Sequence, residues 1–242
     1  ILNYLKKNKI FTLDTALNYN ILKLSRKYNL EIQKFNIITK VPKITSFQDK
    51  KKILKVLEND LKKSNIKKYQ CIYLHDTINL KKKDMIRSVE FLKTIKSKKI
   101  TDKIGFSLYN PSDYLKLRKH LKPDQVQIPL NFFDQEFFKK KIQDLIKFDK
   151  TKVHVRSIFL QGVLLNDNFK NIKMKLTMNK IKNLCELENI QLIDACINFV
   201  LNIKYIDKVV IGVNDINELK LILNYKKKKL NFNFLIQISI NK

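Results

Sequence analysis

At 242 residues, 44% of them hydrophobic, the chain can bury one sizeable core, which a single domain accommodates. Its net charge of +28 invites a nucleic-acid reading, yet only four of its 50 basic residues are arginine (Arg26, Arg87, Arg118 and Arg156), the side chain suited to bidentate phosphate and base contacts. Lysine runs such as Lys81 to Lys83 and Lys226 to Lys229 lie dispersed among Asn and Ile, the pattern of solvated faces, so no nucleic-acid partner is expected.

Ile1 to Asn8 places Ile1, Leu2 and Leu5 at helical spacing with lysines opposite. Ile10 to Leu13 then reads as a strand ending at Asp14, followed over Asn18 to Lys34 by a polar loop and a helix. The β-branched run Phe35 to Val41, stopped by Pro42, is a second strand. Ile53, Leu54, Leu57 and Leu61 stripe an amphipathic helix over Lys51 to Lys63, and Gln70 to Leu74 is the third strand. A helix over Asp84 to Ser97 leads into a strand at Lys103 to Leu108. Pro111, Ser112 and Asp113 start a helix, and Asp124 to Leu130 is a strand with Pro129 near its end. Phe137, Phe138, Ile142, Leu145 and Ile146 stripe the next helix, and Lys152 to Leu160 is strand again. Two helices (179–188 and 191–203) precede a strand at Lys208 to Val213. A last helix at Ile216 to Tyr225 leads to a tail in which Phe232, Phe234, Ile236 and Ile238 alternate with polar residues.

The seven strands end near residues 14, 41, 74, 108, 130, 160 and 213, each followed by helix, with one helix in front. Such alternation predicts parallel pairing, in a doubly wound sheet or in a (β/α)8 barrel. One further strand ahead of Ile1 would bring the total to eight, the number that closes a barrel. The expected fold is therefore a (β/α)8 TIM barrel lacking its first strand in this fragment, with residues 1–242 as one domain. Cys71, Cys185 and Cys196 are odd in number and have no metal-binding spacing. No metal is expected, and the thiols fit a reducing cytoplasm. No apolar run approaches the roughly 18 residues of a membrane span, so no membrane partner is expected.

Polar or ionisable groups stand at the ends of the early strands: Asp14 after the first, Lys40 in ITK at the end of the second, and His75 in YLHD after the third. Tyr19 lies on the loop that leaves the first. Singly, Asp14 reads as a turn residue, Tyr19 as a half-buried aromatic, Lys40 as a solvated end and His75 as a satisfied histidine. Together they are the four types needed to reduce a carbonyl, because hydride delivery to carbon requires a proton for the developing alkoxide. Tyr19 would be the acid. A buried Lys40 ammonium favours the phenolate that remains. Asp14 would keep Lys40 charged and aimed, and His75 would polarise the carbonyl oxygen. His154 reads as a packing residue and His120 as a surface one.

The segments LDTALNY, FNIITKVP, YLHD, IGFSLYNP, DQVQIPLN, VRSIFLQGVLL and VVIGV resemble, in order and over nearly the whole chain, those of the aldo/keto reductases. That resemblance assigns the same roles to the same four residues, and it implies NADPH, with NADH not excluded, and a small-molecule aldehyde, ketone or sugar carbonyl. It places Ser107 and Gln127 at the nicotinamide carboxamide and Arg156 where an aromatic often stacks on the nicotinamide. Ser157, Phe159, Gln161 and Gly162 would line the pyrophosphate, and Gly212, Val213 and Asn214 the adenosine phosphate. Asn20, Ile21 and Leu22 replace the family's usual Gly and Ser-Glu after the tyrosine, and Leu108 replaces a common Asn. Glu218 aligns where an Arg often grips the ribose phosphate, with Lys220 nearby, and Leu221 and Ile222 align with a Glu-Asn pair used for adenine. These departures keep open an alternative, a catalytically weakened binding or regulatory protein of the same lineage. Oligomeric state is not encoded in these patterns.

Overall fold

The computed structural model describes residues 1–19, 21–162, 164 and 172–230. Among them, short apolar runs alternate with helices: α1 (Leu2–Lys7), β1 (Thr12–Asp14), α2 (Ile21–Lys27), β2 (Asn36–Val41), α3 (Phe47–Lys63), β3 (Tyr69–Leu74), α4 (Lys82–Ser97), β4 (Thr101–Ser107) and α5 (Pro111–Leu117). They continue as β5 (Gln125–Pro129), α6 (Lys140–Phe148), β6 (Lys152–Arg156), α7 (Ile172–Leu187), α8 (Leu192–Leu201), β7 (Lys208–Val209) and α9 (Ile216–Leu223). The seven strands follow one another in the sheet in chain order, and the registers of β1 to β5 and of β6 with β7 are parallel. This is the strand–helix repeat of an incomplete (β/α)8 barrel.

Local chemistry sets the helix starts. Ser46 Oγ accepts from Asp49 N at 3.1 Å while Asp49 Oδ2 accepts from Ser46 N at 3.0 Å, a reciprocal cap that opens α3. Asn110 caps α5 through Asp113 N at 3.0 Å, with Pro111 in the first turn where its missing N–H costs nothing.

Contacts divide the chain into two compact units, one comprising Leu2–Gln127 and Phe148–Lys152, the other Ile1, Ile128–Lys147 and Val153–Lys242. In the first, Ile38, Cys71 and Tyr73 form one buried cluster. Burial pushes the Tyr73 phenol and the Cys71 thiol far above their ordinary titration ranges, so both stay neutral. The Tyr73 hydroxyl accepts from Gln125 Nε2, and Gly105 is the register partner of both residues. In the same unit, Asp149, whose side chain is wholly buried, accepts from both Arg118 Nε (2.7 Å) and Nη2 (2.8 Å) and from the Tyr114 hydroxyl (2.7 Å). The guanidinium holds the Asp149 carboxyl below its usual range.

In the second unit, α8 buries eight consecutive residues, Ile193 to Val200, including Asp194 and Asn198. Both polar groups are satisfied by backbone. Asp194 Oδ1 accepts from Lys226 N at 2.9 Å, and Asn198 donates to Lys226 O at 2.7 Å and accepts from Lys228 N at 2.9 Å, fixing the extended segment after α9.

Several predicted boundaries differ. The strand expected to run to Leu160 stops at Arg156, because Ser157 turns into the left-handed region at φ 61°. β7 spans two residues rather than the six of Lys208 to Val213: its partner ends at Arg156, so the register reaches only Val155↔Val209, closed by Val210 N to Val155 O at 2.7 Å. The helix expected from Asn179 begins at Ile172. The alternating tail at Phe232 to Ile238 lies outside the described residues.

A Cβ at Gly105 would run into the Gln125 carbonyl oxygen and stand 3.2 Å from Tyr73 Cδ1, whereas one at Gly212 meets nothing within 4 Å. Gly105→Ala should therefore lower stability in equilibrium urea unfolding by about 3 kcal/mol, the upper end of overpacking costs. Gly212→Ala should leave it within about 0.5 kcal/mol.

Candidate active site

Side chains two apart on a strand share a face, and register partners in a parallel sheet share it too. The buried cluster of Ile38, Cys71 and Tyr73 marks that face as interior. Lys40 follows Ile38 on it. Asp14 is the register partner of Ile38, Ser107 of Gln127, and Gly105 of Gln125. His75 lies one residue past β3, and its backbone N–H still donates to Val41 O at 2.8 Å, so the alternation carries it to the same face as Tyr73. Asp14, Lys40, His75, Ser107 and Gln127 thus occupy one face at the C-terminal ends of their strands, where barrel enzymes place their chemistry.

Lys40 is the centre of this group. It is 4% exposed, and its ammonium donates to Asp14 Oδ2 and, at 3.0 Å, to the Thr15 carbonyl. A buried ammonium is stable only when paired and hydrogen-bonded, and both conditions are met. Asp14 is in turn fixed on its other oxygen, Oδ1, by Gln127 Nε2 at 2.9 Å. Sequence reasoning assigned Gln127 to a cofactor and gave Thr15 no role. The alternation Gln125, Gln127 along β5 was the available signal for a shared face, but it names no partner.

Tyr19 ends a 3-10 turn, Leu17–Tyr19, that packs against β2, the strand of Lys40. Tyr19 is 56% exposed, and its hydroxyl has no partner among the described residues. The structure thus joins Asp14, Lys40 and Gln127 by hydrogen bonds, sets His75 on their face, and leaves Tyr19 at the rim. Ser107 is buried. His154 is buried, and His120, expected at the surface, is half-buried.

In the second unit, most of the remaining predicted residues gather round one cavity of about 570 Å³. Ser157, Phe159, Gln161, Gly162, Gly212 and Asn214 all line it. Four of the six residues 157–162 have positive φ (Ser157, Leu160, Gln161 and Gly162), a tight turn beside the cavity. Ile193, Leu221 and Ile222 add an apolar wall. Val213 is half-buried outside the lining. Arg156 donates to Ser157 Oγ at 3.3 Å and is likewise outside it. A cavity of this size, apolar with a few polar groups, fits part of a dinucleotide.

No helix among the described residues is long and apolar enough to cross a membrane. The model of the Aldo/keto reductase family matches residues 1–238. A search of curated proteins gave no match. Among solved structures, the holo form of an aldo-keto reductase from Bacillus halodurans aligns at TM-score 0.73 and 16% identity over 99% of this chain and 85% of that one. An aldo/keto reductase from Klebsiella pneumoniae in complex with NADP and acetate aligns at TM-score 0.67 and 13% identity, covering 96% of this chain and 80% of its own. A Klebsiella pneumoniae aldo-keto reductase in complex with NADPH aligns at TM-score 0.70 and 13% identity, over 96% and 79%. At these identities the likeness is one of fold.

Removing the ammonium leaves the Asp14 carboxylate, 17% exposed, with Gln127 as its remaining side-chain donor. Lys40→Met should cost about 3 kcal/mol in chemical denaturation. Asp14→Asn combined with Lys40→Met should recover part of that loss, a coupling of about 1 to 3 kcal/mol in the double-mutant cycle. Simple additivity would show that the two side chains do not act as a pair.

Proposed function

Because this chain belongs to the aldo/keto reductase family, we propose that it is an oxidoreductase reducing the carbonyl of a small aldehyde, ketone or sugar, with Tyr19 as general acid and residues 1–242 forming one catalytic domain. A bound nicotinamide dinucleotide supplies the hydride. The other tasks fall to the chain. Tyr19 gives its phenolic proton to the oxygen that becomes negative as the carbon is reduced. Lys40 stabilises the phenolate left behind: of its three donors, Asp14 and Thr15 engage two, and the third remains for the phenol. Asp14 holds that ammonium in place, and Gln127 holds Asp14. His75 donates a second hydrogen bond to the carbonyl oxygen and polarises it.

The observation that carries this reading is the buried Lys40–Asp14 pair at the strand ends. A solvated lysine would serve the fold as well at less cost, whereas a desolvated, oriented ammonium is what an acid–base site requires. Ser107 and Gln127 would hold the carboxamide. Gln127 retains its carbonyl oxygen and a second N–H for that purpose after bonding Asp14. Ser157, Phe159, Gln161 and Gly162 would line the pyrophosphate, Arg156 would lie beside the nicotinamide, and Gly212, Val213 and Asn214 would flank the adenosine phosphate.

One observation favours the alternative of a weakened, binding or regulatory relative: the 56% exposure of Tyr19 beside its altered loop. Catalytic hydrogen bonds are often absent without substrate, so exposure alone does not decide. Tyr19→Phe decides. It deletes the proton donor and keeps the ring, so cofactor affinity should stay nearly constant while turnover falls about 10²- to 10⁴-fold. A variant keeping more than about a tenth of wild-type turnover, with chemistry rate-limiting, would remove Tyr19 from the mechanism.

A further inference from the structure

The cavity of the second unit is unusual for a phosphate-rich ligand in the charge it presents. Of the described residues that line it, the charged one is Glu218, a carboxylate, and no Lys or Arg joins it. Glu218 sits in the first turn of α9, where helix N–H groups would otherwise attract an anion. Two of those donors are already engaged: Asp215 Oδ1 accepts from Asn217 N at 2.7 Å and from Glu218 N at 2.9 Å. Glu218 Oε2 accepts from Asn214 N at 2.7 Å, and the Asn214 side-chain amide reaches both carboxylate oxygens at 3.1 Å. Two carboxylates therefore occupy the helix entrance and engage two of its donors, and Ile193, Leu221 and Ile222 add apolar lining.

From this arrangement we infer that the pocket selects the dinucleotide without a 2′-phosphate, so that the cofactor is NADH rather than the NADPH that family resemblance implies. The inference rests on the reductase reading and deepens it. A carboxylate accepts hydrogen bonds from ribose hydroxyls, which is how dinucleotide sites specific for NAD commonly recognise the ribose. A phosphate bearing up to two negative charges would instead face Glu218 in the lining, next to the Asp215 cap, with no cation in the described lining and with two of the helix donors engaged. Like charges juxtaposed in this way reject the wrong ligand more strongly than the added contacts of a phosphate could reward it. The chain's overall charge of +28 attracts any anion at long range and adds nothing to the discrimination.

Isothermal titration of the protein with NADH and with NADPH at about 150 mM salt, where charges beyond about 8 Å are screened, tests the inference without reference to activity. NADH should bind at least about tenfold more tightly, a difference of about 1.4 kcal/mol. Glu218→Gln keeps the shape of the side chain and an oxygen for Asn214 while removing the charge. In that variant NADPH should gain at least about fivefold and NADH should change little. NADPH binding as tightly as NADH to the wild type, or an unchanged ratio in Glu218→Gln, would overturn the inference and leave the reductase reading standing. Failure of both dinucleotides to bind would defeat the reductase reading and this inference with it.

Discussion

The chemistry proposed for this chain depends on the burial of one ammonium. Lys40 is 4% exposed on a strand end where a solvated side chain would be cheaper, and the surrounding residues are arranged to make that position tolerable. Asp14, from the neighbouring strand, supplies the charge, Thr15 supplies a carbonyl, and Gln127, from a strand three places further on, fixes Asp14. A misplacement of any of these strands by one residue would turn Lys40, Asp14 or Gln127 to the other face. The parallel register Asp14↔Ile38 and Lys40↔Tyr73 is thus a condition for the site as well as a feature of the sheet.

Beneath that layer the interior is filled rather than open. Tyr73 and Gln125 bond across Gly105, the position where a side chain cannot fit, and burial keeps the Tyr73 phenol and Cys71 thiol neutral. Neutral groups below a charged pair neither compete for its proton nor screen it. The Lys40 ammonium has its charge partner in Asp14 and a second acceptor in the Thr15 carbonyl.

The alternation of strand and helix, and the placement of Asp14, Lys40 and His75 at strand ends, were legible in the sequence because apolar periodicity reports burial directly. Other features were not. The Gln127–Asp14 bond joins residues 113 positions apart, and nothing local to either one encodes the other. The end of β6 depends on Ser157 adopting φ 61°, a conformation that Ser does not announce as Gly would, and the short β7 follows from it. The helix starts at Ser46 and Asn110 carry residue types that favour caps, but the reciprocal bonding at Asp49 appears only in three dimensions. Family resemblance placed Ser157, Phe159, Gln161, Gly162, Gly212 and Asn214 together, and one cavity does collect them. It could not reveal that two helix donors beside Glu218 are already engaged, because that depends on where Asp215 directs its side chain.

The central claim is that the buried Lys40–Asp14 pair serves hydride transfer to a carbonyl. The most direct measurement supplies reduced nicotinamide dinucleotide deuterated at the transferable C4 position, with a panel of aldehydes, ketones and sugars, and reads the products by mass spectrometry. The wild-type protein should place one deuterium on the carbon that carried the carbonyl of a reduced substrate, and Lys40→Met, checked to bind the dinucleotide, should do so far more slowly. Absence of deuterium from every product while the dinucleotide is bound, or transfer by Lys40→Met at the wild-type rate, would contradict the account.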